Sequence, residues 1–342
     1  METVANKLPI GIQDFETLIT ESYIYADKTR YLVDLINAGR VYFFARPRRF
    51  GKSLTTTTLK ALFEGKKELF RGLYAEEFLN RPDFRPSPVI RLDMSKITTD
   101  EGLDYLRSSM IVKLKEYAEN LGVAIDENLS AGDYFAQLIR RTCEKYGEKV
   151  VILIDEYDKP YSDFYLDHEM AEKVRNICRS FYIQVKANEE YIRFVFLTGI
   201  SKFTKLGVFS TLNNLMDISM DKTCGEMCGL TEEEILQYFP EHIEQVAQYH
   251  GFSVEKLIER MRYHYNGFCF DGVHRLYNPF STLNFLKLKE FDNYWMSSGG
   301  QKAVADYLKN RNLTVEQFRN IQVSRDFVMN PGDVDTTNAE GF

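Results

Sequence analysis

An apolar run, Val41-Tyr42-Phe43-Phe44-Ala45, leads directly into Arg46-Pro47-Arg48-Arg49-Phe50-Gly51-Lys52-Ser53, and a helical pattern begins at once. No other stretch constrains the fold as tightly. A buried strand, a short basic loop and a helix starting on Gly-Lys-Ser form the setting of a phosphate-binding loop. The first turn of a helix presents amides with no intrahelical acceptor, at the positive end of the helix dipole. Gly51 lets the backbone approach an anion closely. Lys52 has the reach for β- and γ-phosphates, and the Ser53 hydroxyl suits Mg²⁺. The general pattern G-x-x-x-x-G-K-[ST] begins on glycine, where this chain has Arg46. Pro47 biases Arg46 toward extended backbone. Arg46, Arg48 and Arg49 then stand near the expected phosphates, as charge that offsets the lost backbone approach. A basic turn that merely caps a helix would show the same Gly-Lys-Ser, so the loop does not decide the matter alone.

A second element narrows the choice. Val150-Val151-Ile152-Leu153-Ile154 runs into Asp155-Glu156. An acid at the carboxyl end of a buried strand lies where open α/β sheets bind ligands. Asp155 is suited to hold Mg²⁺ and Glu156 to act as general base on an attacking water. A third run, residues 192–198, ends in Thr198-Gly199-Ile200-Ser201-Lys202. Thr198 is the candidate for sensing a γ-phosphate or orienting water. Lys202 and Lys205 stand just beyond it. A threonine capping its own strand and solvated lysines are the plain alternatives.

Strands are expected at residues 41–45, 89–93, 150–155 and 192–198, with a weaker one at 215–219. Helices are expected at 53–63, 103–120, 134–146 and 168–186. Asp27-Lys28-Thr29 opens a helix to about Asn37, closed by Gly39. Alternation of this kind predicts a parallel sheet covered on both faces. The pattern changes near Asp221. Thr231-Glu232-Glu233-Glu234 has capping-box spacing for a helix at 232–239. Further helices are expected at 254–265, about 282–289 and 301–309. The expected organisation is an α/β core over 1–220, a mainly helical lid over 221–330 and a loose tail over 331–342.

Composition sets outer limits. The 342 residues are 44% hydrophobic and 27% charged, which excludes a wholly disordered chain. A net charge of −7 argues against a blanket nucleic-acid binder, although Arg140-Arg141 offers a local basic patch. Five scattered cysteines argue for reduced thiols in the cytoplasm. Cys224 and Cys228 lack a second ligand pair at zinc spacing. No apolar run approaches the length of a membrane span. No G-x-S-x-G, H-E-x-x-H or N-K-x-D occurs. The aromatic tract Tyr263-His264-Tyr265-Asn266-Gly267-Phe268 reads as a packed helix end.

The loop Arg46-Pro47-Arg48-Arg49-Phe50-Gly51-Lys52-Ser53-Leu54 resembles the signature of the AAA-ATPase-like family of bacteria and archaea. Tyr25-Ala26-Asp27-Lys28-Thr29, residues 151–158, 198–203 and 209–215, Tyr265-Asn266-Gly267-Phe268, residues 277–281 and Tyr294-Trp295 are similar in order and spacing. The resemblance covers about residues 7–300 and makes the arginine at position 46 a family trait. It implies a three-layer P-loop NTPase that binds ATP with Mg²⁺ and hydrolyses it. The loop, Arg46 to Leu54, would hold the nucleotide. Ser53 and Asp155 would hold Mg²⁺. Lys52, Glu156, Thr198 and Arg49 would carry the chemistry. Family members commonly continue into a nuclease-like domain of the PD-(D/E)XK type. No apolar strand followed by (D/E)-x-Lys is visible here, so no nuclease activity is assigned. The partners in view are ATP, a second copy of the chain, and a nuclease or nucleic-acid partner, with no membrane. A nucleotide-gated interaction module with little turnover is the main rival. A small-molecule kinase and a nucleic-acid motor are the others.

Overall fold

The computed structural model describes residues 7–97, 102–162, 164, 167–200, 202, 212 and 214–297. The expected helix at 301–309, the tail at 331–342, Ser201, Lys205 and residues 203–211 lie outside them. Five strands form one parallel sheet: β1 (Val41–Ala45), β2 (Val89–Asp93), β3 (Val150–Asp155), β4 (Ile192–Gly199) and β5 (Met216–Asp217). Their order is β2-β3-β4-β1-β5. β4 therefore separates the loop-bearing strand β1 from the acidic strand β3. Ala45 is in register with Gly199, and Asp93 with Asp155. All these strands point their carboxyl ends the same way.

The strands are apolar nearly throughout because both faces are covered. On one face Phe43, Ile152, Ile154, Val195 and Leu197 pack against residues from Leu103–Asn120, Ala131–Tyr146 and His168–Ala187. On the other, Tyr42, Phe44, Val151, Leu153 and Phe196 meet Leu32 and Leu35 of Thr29–Ala38, and Leu59 and Phe63 of Lys52–Glu64. The alternation of neighbours along β1 follows the two-residue period of a strand. Each fully buried side chain of this size contributes roughly 1.5–3 kcal/mol. Among the described residues, no helix is long and apolar enough to cross a membrane.

The C-terminal region is helical, with Glu232–Tyr238, Pro240–His250, Val254–Tyr265 and Pro279–Leu288. Pro240–His250 is absent from the sequence reading. Its signals are nevertheless plain: Pro240 at the first turn, Ile243, Val246 and Ala247 on one face, and Gly251 as a left-handed cap. The helix expected from Thr282 starts earlier, at Pro279. Asn278 accepts the Ser281 amide, and proline suits a first helical turn. Tyr265 packs onto Phe285, as the packed-end reading requires, whereas Tyr263 is exposed.

These helices share one apolar cluster with the N-terminal segment. Ile24 is buried in it, with Leu8, Ile10 and Ala26 at its edge. The capping box at Thr231 and Glu234 forms as its spacing implies. Glu234 also takes Lys28 in an ion pair at a largely buried position. One carboxylate thus starts a helix and ties the N-terminal segment to it. Replacing Glu234 by Ala should lower stability by about 1–3 kcal/mol, through the lost cap and the stranded Lys28 charge. Thermal unfolding checks this, and an unchanged midpoint would refute the tie.

Candidate functional site

Gly51 makes the strand-to-helix turn with φ 100° and caps Lys52–Glu64. A Cβ there would meet nothing within 4 Å, so glycine is required by backbone conformation rather than by space. Arg49, two residues earlier, also has positive φ, at 67°. The turn and the first helical residues border a cavity of about 460 Å³. Arg48, Arg49, Phe50, Gly51, Lys52, Ser53 and Leu54 line it, whereas Arg46 and Pro47 of the expected loop do not. Lys52 is buried, and its Nζ donates to the Pro47 carbonyl at 3.1 Å. Burial pulls the Lys52 pKa down, while Asp158, Glu156 and Asp155 push it back up.

Arg46 is different. Its guanidinium turns away from the cavity, is 1% exposed, and lies between the rings of Phe44 and Phe270 at 4.3 and 4.4 Å. It donates to the carbonyls of Ala45 at 2.9 Å, Ser219 at 2.6 Å and Gly225 at 3.3 Å. Its backbone amide is spent on Gly199 O at 3.2 Å. The expectation that Arg46 adds charge beside phosphates is therefore corrected. Arg46 fastens the loop to the region that follows β5. Burial lowers its pKa to about 10. Phe50 is fully buried against Phe268 and Phe270, and Trp295 Nε1 donates to Arg48 O at 3.0 Å. Arg49 stacks over Phe280 at 5.1 Å.

The acidic wall comes from two neighbouring strands. Glu156 lines the cavity with φ 51°, an uncommon conformation outside glycine that costs on the order of 1 kcal/mol. Burial raises its pKa; Asp155 and Asp93 push the same way, and Lys52 and Arg48 oppose. Asp155 lies beneath, 1% exposed, held by the Thr198 hydroxyl and by Arg91 at 3.3 Å. Thr198 does not line the cavity and is fully buried. Its hydroxyl donates to Asp155 and accepts the Glu156 amide at 3.3 Å. Thr198 is thus not placed for the expected direct contact with a γ-phosphate. Lys202 is paired with Asp217 at 3.1 Å, and Arg141 with Asp126 at 2.7 Å.

Several contributors escape the sequence reading. Asp93 and Ser95 line the same cavity at the end of β2. Asp93 follows an apolar run just as Asp155 does, so the signal was present in the chain. Asp158 is fully buried, with Oδ2 accepting Ile200 N at 3.1 Å and Oδ1 unpartnered among the described residues. The rest of the lining is mostly apolar, with Gln13 and Lys28 among it. Ile10, Ile12, Ile24 and Leu32 come from the N-terminal segment and its helix, and Leu230, Phe239 and Leu283 from the helical region. No local pattern announces that these distant segments converge.

Residues 9–209 match the family model described as "Predicted AAA-ATPase". The chain belongs to this AAA-ATPase-like family. It is also 36% identical, over 307 residues, to an "Uncharacterized protein in vnfD 5'region" of Azotobacter chroococcum mcd 1. That match takes in 89% of this chain and 56% of the relative, so the chain spans little more than half the relative's length. The family suggests ATP binding, and an AAA-ATPase-like chain with a parallel sheet agrees with the loop geometry above.

Asp158 yields a test of the site's electrostatics. Its pKa is raised from 3.8 to about 6, chiefly by burial. A carboxyl with a raised folded-state pKa favours folding fully below its unfolded value and loses that contribution as pH rises through its folded value. Stability should therefore fall by on the order of 2 kcal/mol between about pH 4 and pH 6 from this group. Asp158→Asn should remove that part of the slope and raise the unfolding midpoint near neutral pH. A slope unchanged in the variant would contradict the assignment.

Proposed function

We propose that this protein binds ATP with Mg²⁺ in the cavity under the phosphate loop and hydrolyses its terminal phosphoanhydride. The observation that carries the reading is the cavity's division. One part of the lining is the cationic loop and helix N-terminus together with carboxylates, and the rest is largely apolar. A nucleoside triphosphate has the same two parts, and the volume lies in the range of ligand pockets. Lys52 and the first-turn amides would hold the β- and γ-phosphates. The Ser53 hydroxyl and the nearby carboxylates are hard oxygen donors of the kind Mg²⁺ takes, with Asp155 as the carboxylate behind them. Bound there, Mg²⁺ would neutralise phosphate charge.

Glu156 would take the proton of the attacking water. Its raised pKa makes it a better base than an exposed glutamate. Thr198 would set the geometry of Asp155 and Glu156 through its two hydrogen bonds. Arg48 and Arg49 would place positive charge against the transferring phosphoryl group. The preference for ATP over GTP rests on the family. All five cysteines are unpaired, which supports a reducing compartment such as the cytoplasm. The core–lid organisation, with a change near residue 221, is part of the same proposal.

A second reading is a nucleotide-gated module with little turnover. The bond from Trp295 to Arg48 O favours it, because it ties the helical region to the loop that would feel the phosphates. Phosphate release from ATP with Mg²⁺ separates the two. Hydrolysis predicts that Glu156→Gln lowers kcat by about a hundredfold or more, with ATP binding retained. Lys52→Ala should weaken both. The acid limb of the kcat–pH profile should lie above the ordinary glutamate value of 4.5 and vanish in Glu156→Gln. Tight ATP binding without turnover would select the gated module. A rate per molecule that rises with protein concentration would support a site shared between copies.

A further inference from the structure

A second cavity, of about 390 Å³, opens at the other end of the sheet, beside the amino ends of the strands. Four cations line it: Arg40, Arg81, Lys149 and Arg193. Arg40 immediately precedes β1, Lys149 immediately precedes β3, and Arg193 is the second residue of β4. Asp83 is the one carboxylate among the lining residues. Among the described residues none of the four cations forms an ion pair. In a chain of net charge −7, this hollow is a local inversion of sign.

Two of the guanidiniums are fixed from behind. Arg40 Nη2 donates to Ile192 O at 2.7 Å. Arg193 Nη1 donates to Arg85 O at 2.7 Å and to Ser87 Oγ at 2.8 Å, and its guanidinium lies over Phe63 at 5.3 Å. Arg81 lies over Phe78 at 5.1 Å. A guanidinium has five N–H donors, so both anchored arginines keep donors for a ligand. Anchoring also lowers the entropy lost when that ligand binds. Half-burial draws the Arg193 pKa down, and Glu148 opposes that pull.

We propose that this cavity binds a compact, multivalent phosphate-class oxyanion of about the size of pyrophosphate. Four cations against one carboxylate leave a surplus of three positive charges. Guanidinium forks match the spacing of phosphate oxygens, and lysine adds a mobile point charge. The hollow has the volume of a small-molecule pocket. It is separate from the phosphate loop by the length of β1, five residues or roughly 15 Å. The proposal does not depend on the nucleotide reading.

Calorimetric titration with pyrophosphate, without Mg²⁺, tests it in a Lys52→Ala background, where the loop's own lysine is gone. One equivalent should bind. Adding Arg81→Glu and Lys149→Glu should weaken that binding about tenfold or more, because two attractive charges become repulsive. Both side chains are exposed, so the unfolding midpoint should stay close to that of Lys52→Ala, which separates lost binding from lost fold. No binding to Lys52→Ala, or binding that survives the two charge reversals, would overturn the proposal. Failure of the loop assignment would look different: wild type and Lys52→Ala would then take up the same number of equivalents.

Discussion

The loop at the centre of this protein depends on a buried cation. The Arg46 guanidinium is held between two aromatic rings and three carbonyl oxygens, with Nε unpartnered among the described residues. Burying an arginine without a carboxylate partner is costly. Ring faces and carbonyl dipoles supply the compensation here. The arrangement joins the end of β1, the segment after β5 and the Phe270 loop in a single contact. Where the general phosphate-loop pattern begins with glycine, the loop here begins with a buried arginine. Phe50 repeats the logic one turn later, and Gly229 N closes on Phe50 O at 3.2 Å. The loop's shape is thus set by what packs behind it as much as by its own backbone.

The cavity's electrostatics follow from that placement. Cations come from the loop and carboxylates from the tips of β2 and β3. The intervening strand β4 supplies Thr198, which binds an acid on one side and the next residue's amide on the other. Burial raises the pKa of Glu156 and Asp158 and lowers that of Lys52. Burial disfavours the charged form of each; Lys52 and the carboxylates offset that for one another, while the carboxylates add to it among themselves. A phosphate with a divalent cation would enter a site whose opposite charges already face one another.

Much of this was legible in the chain. The four main strands are continuous apolar runs, because helices cover both faces, and such runs need no tertiary information to recognise. The Gly-Lys-Ser turn and the Thr231–Glu234 box carry their own local chemistry. The failures are of another kind. Arg46 has the same charge as Arg48 and Arg49, and only the positions of Phe44 and Phe270 decide that it turns inward. Thr198 sits at the expected strand tip, but the strand order puts its hydroxyl against Asp155. Asp93 became significant once its register with Asp155 was known. The largely apolar part of the cavity joins residues near 10, 24, 230 and 283, and no periodicity links segments so far apart.

A nucleoside triphosphate in the cavity under Gly51-Lys52-Ser53 is what the proposed function requires. Equilibrium dialysis of labelled ATP with Mg²⁺ tests it most directly, comparing wild type with Lys52→Ala. One ATP should bind per chain, with affinity weakened at least about tenfold in the variant, as expected when a buried charge-assisted contact to phosphate is lost. No saturable binding to the wild type, or equal binding to both proteins, would contradict it.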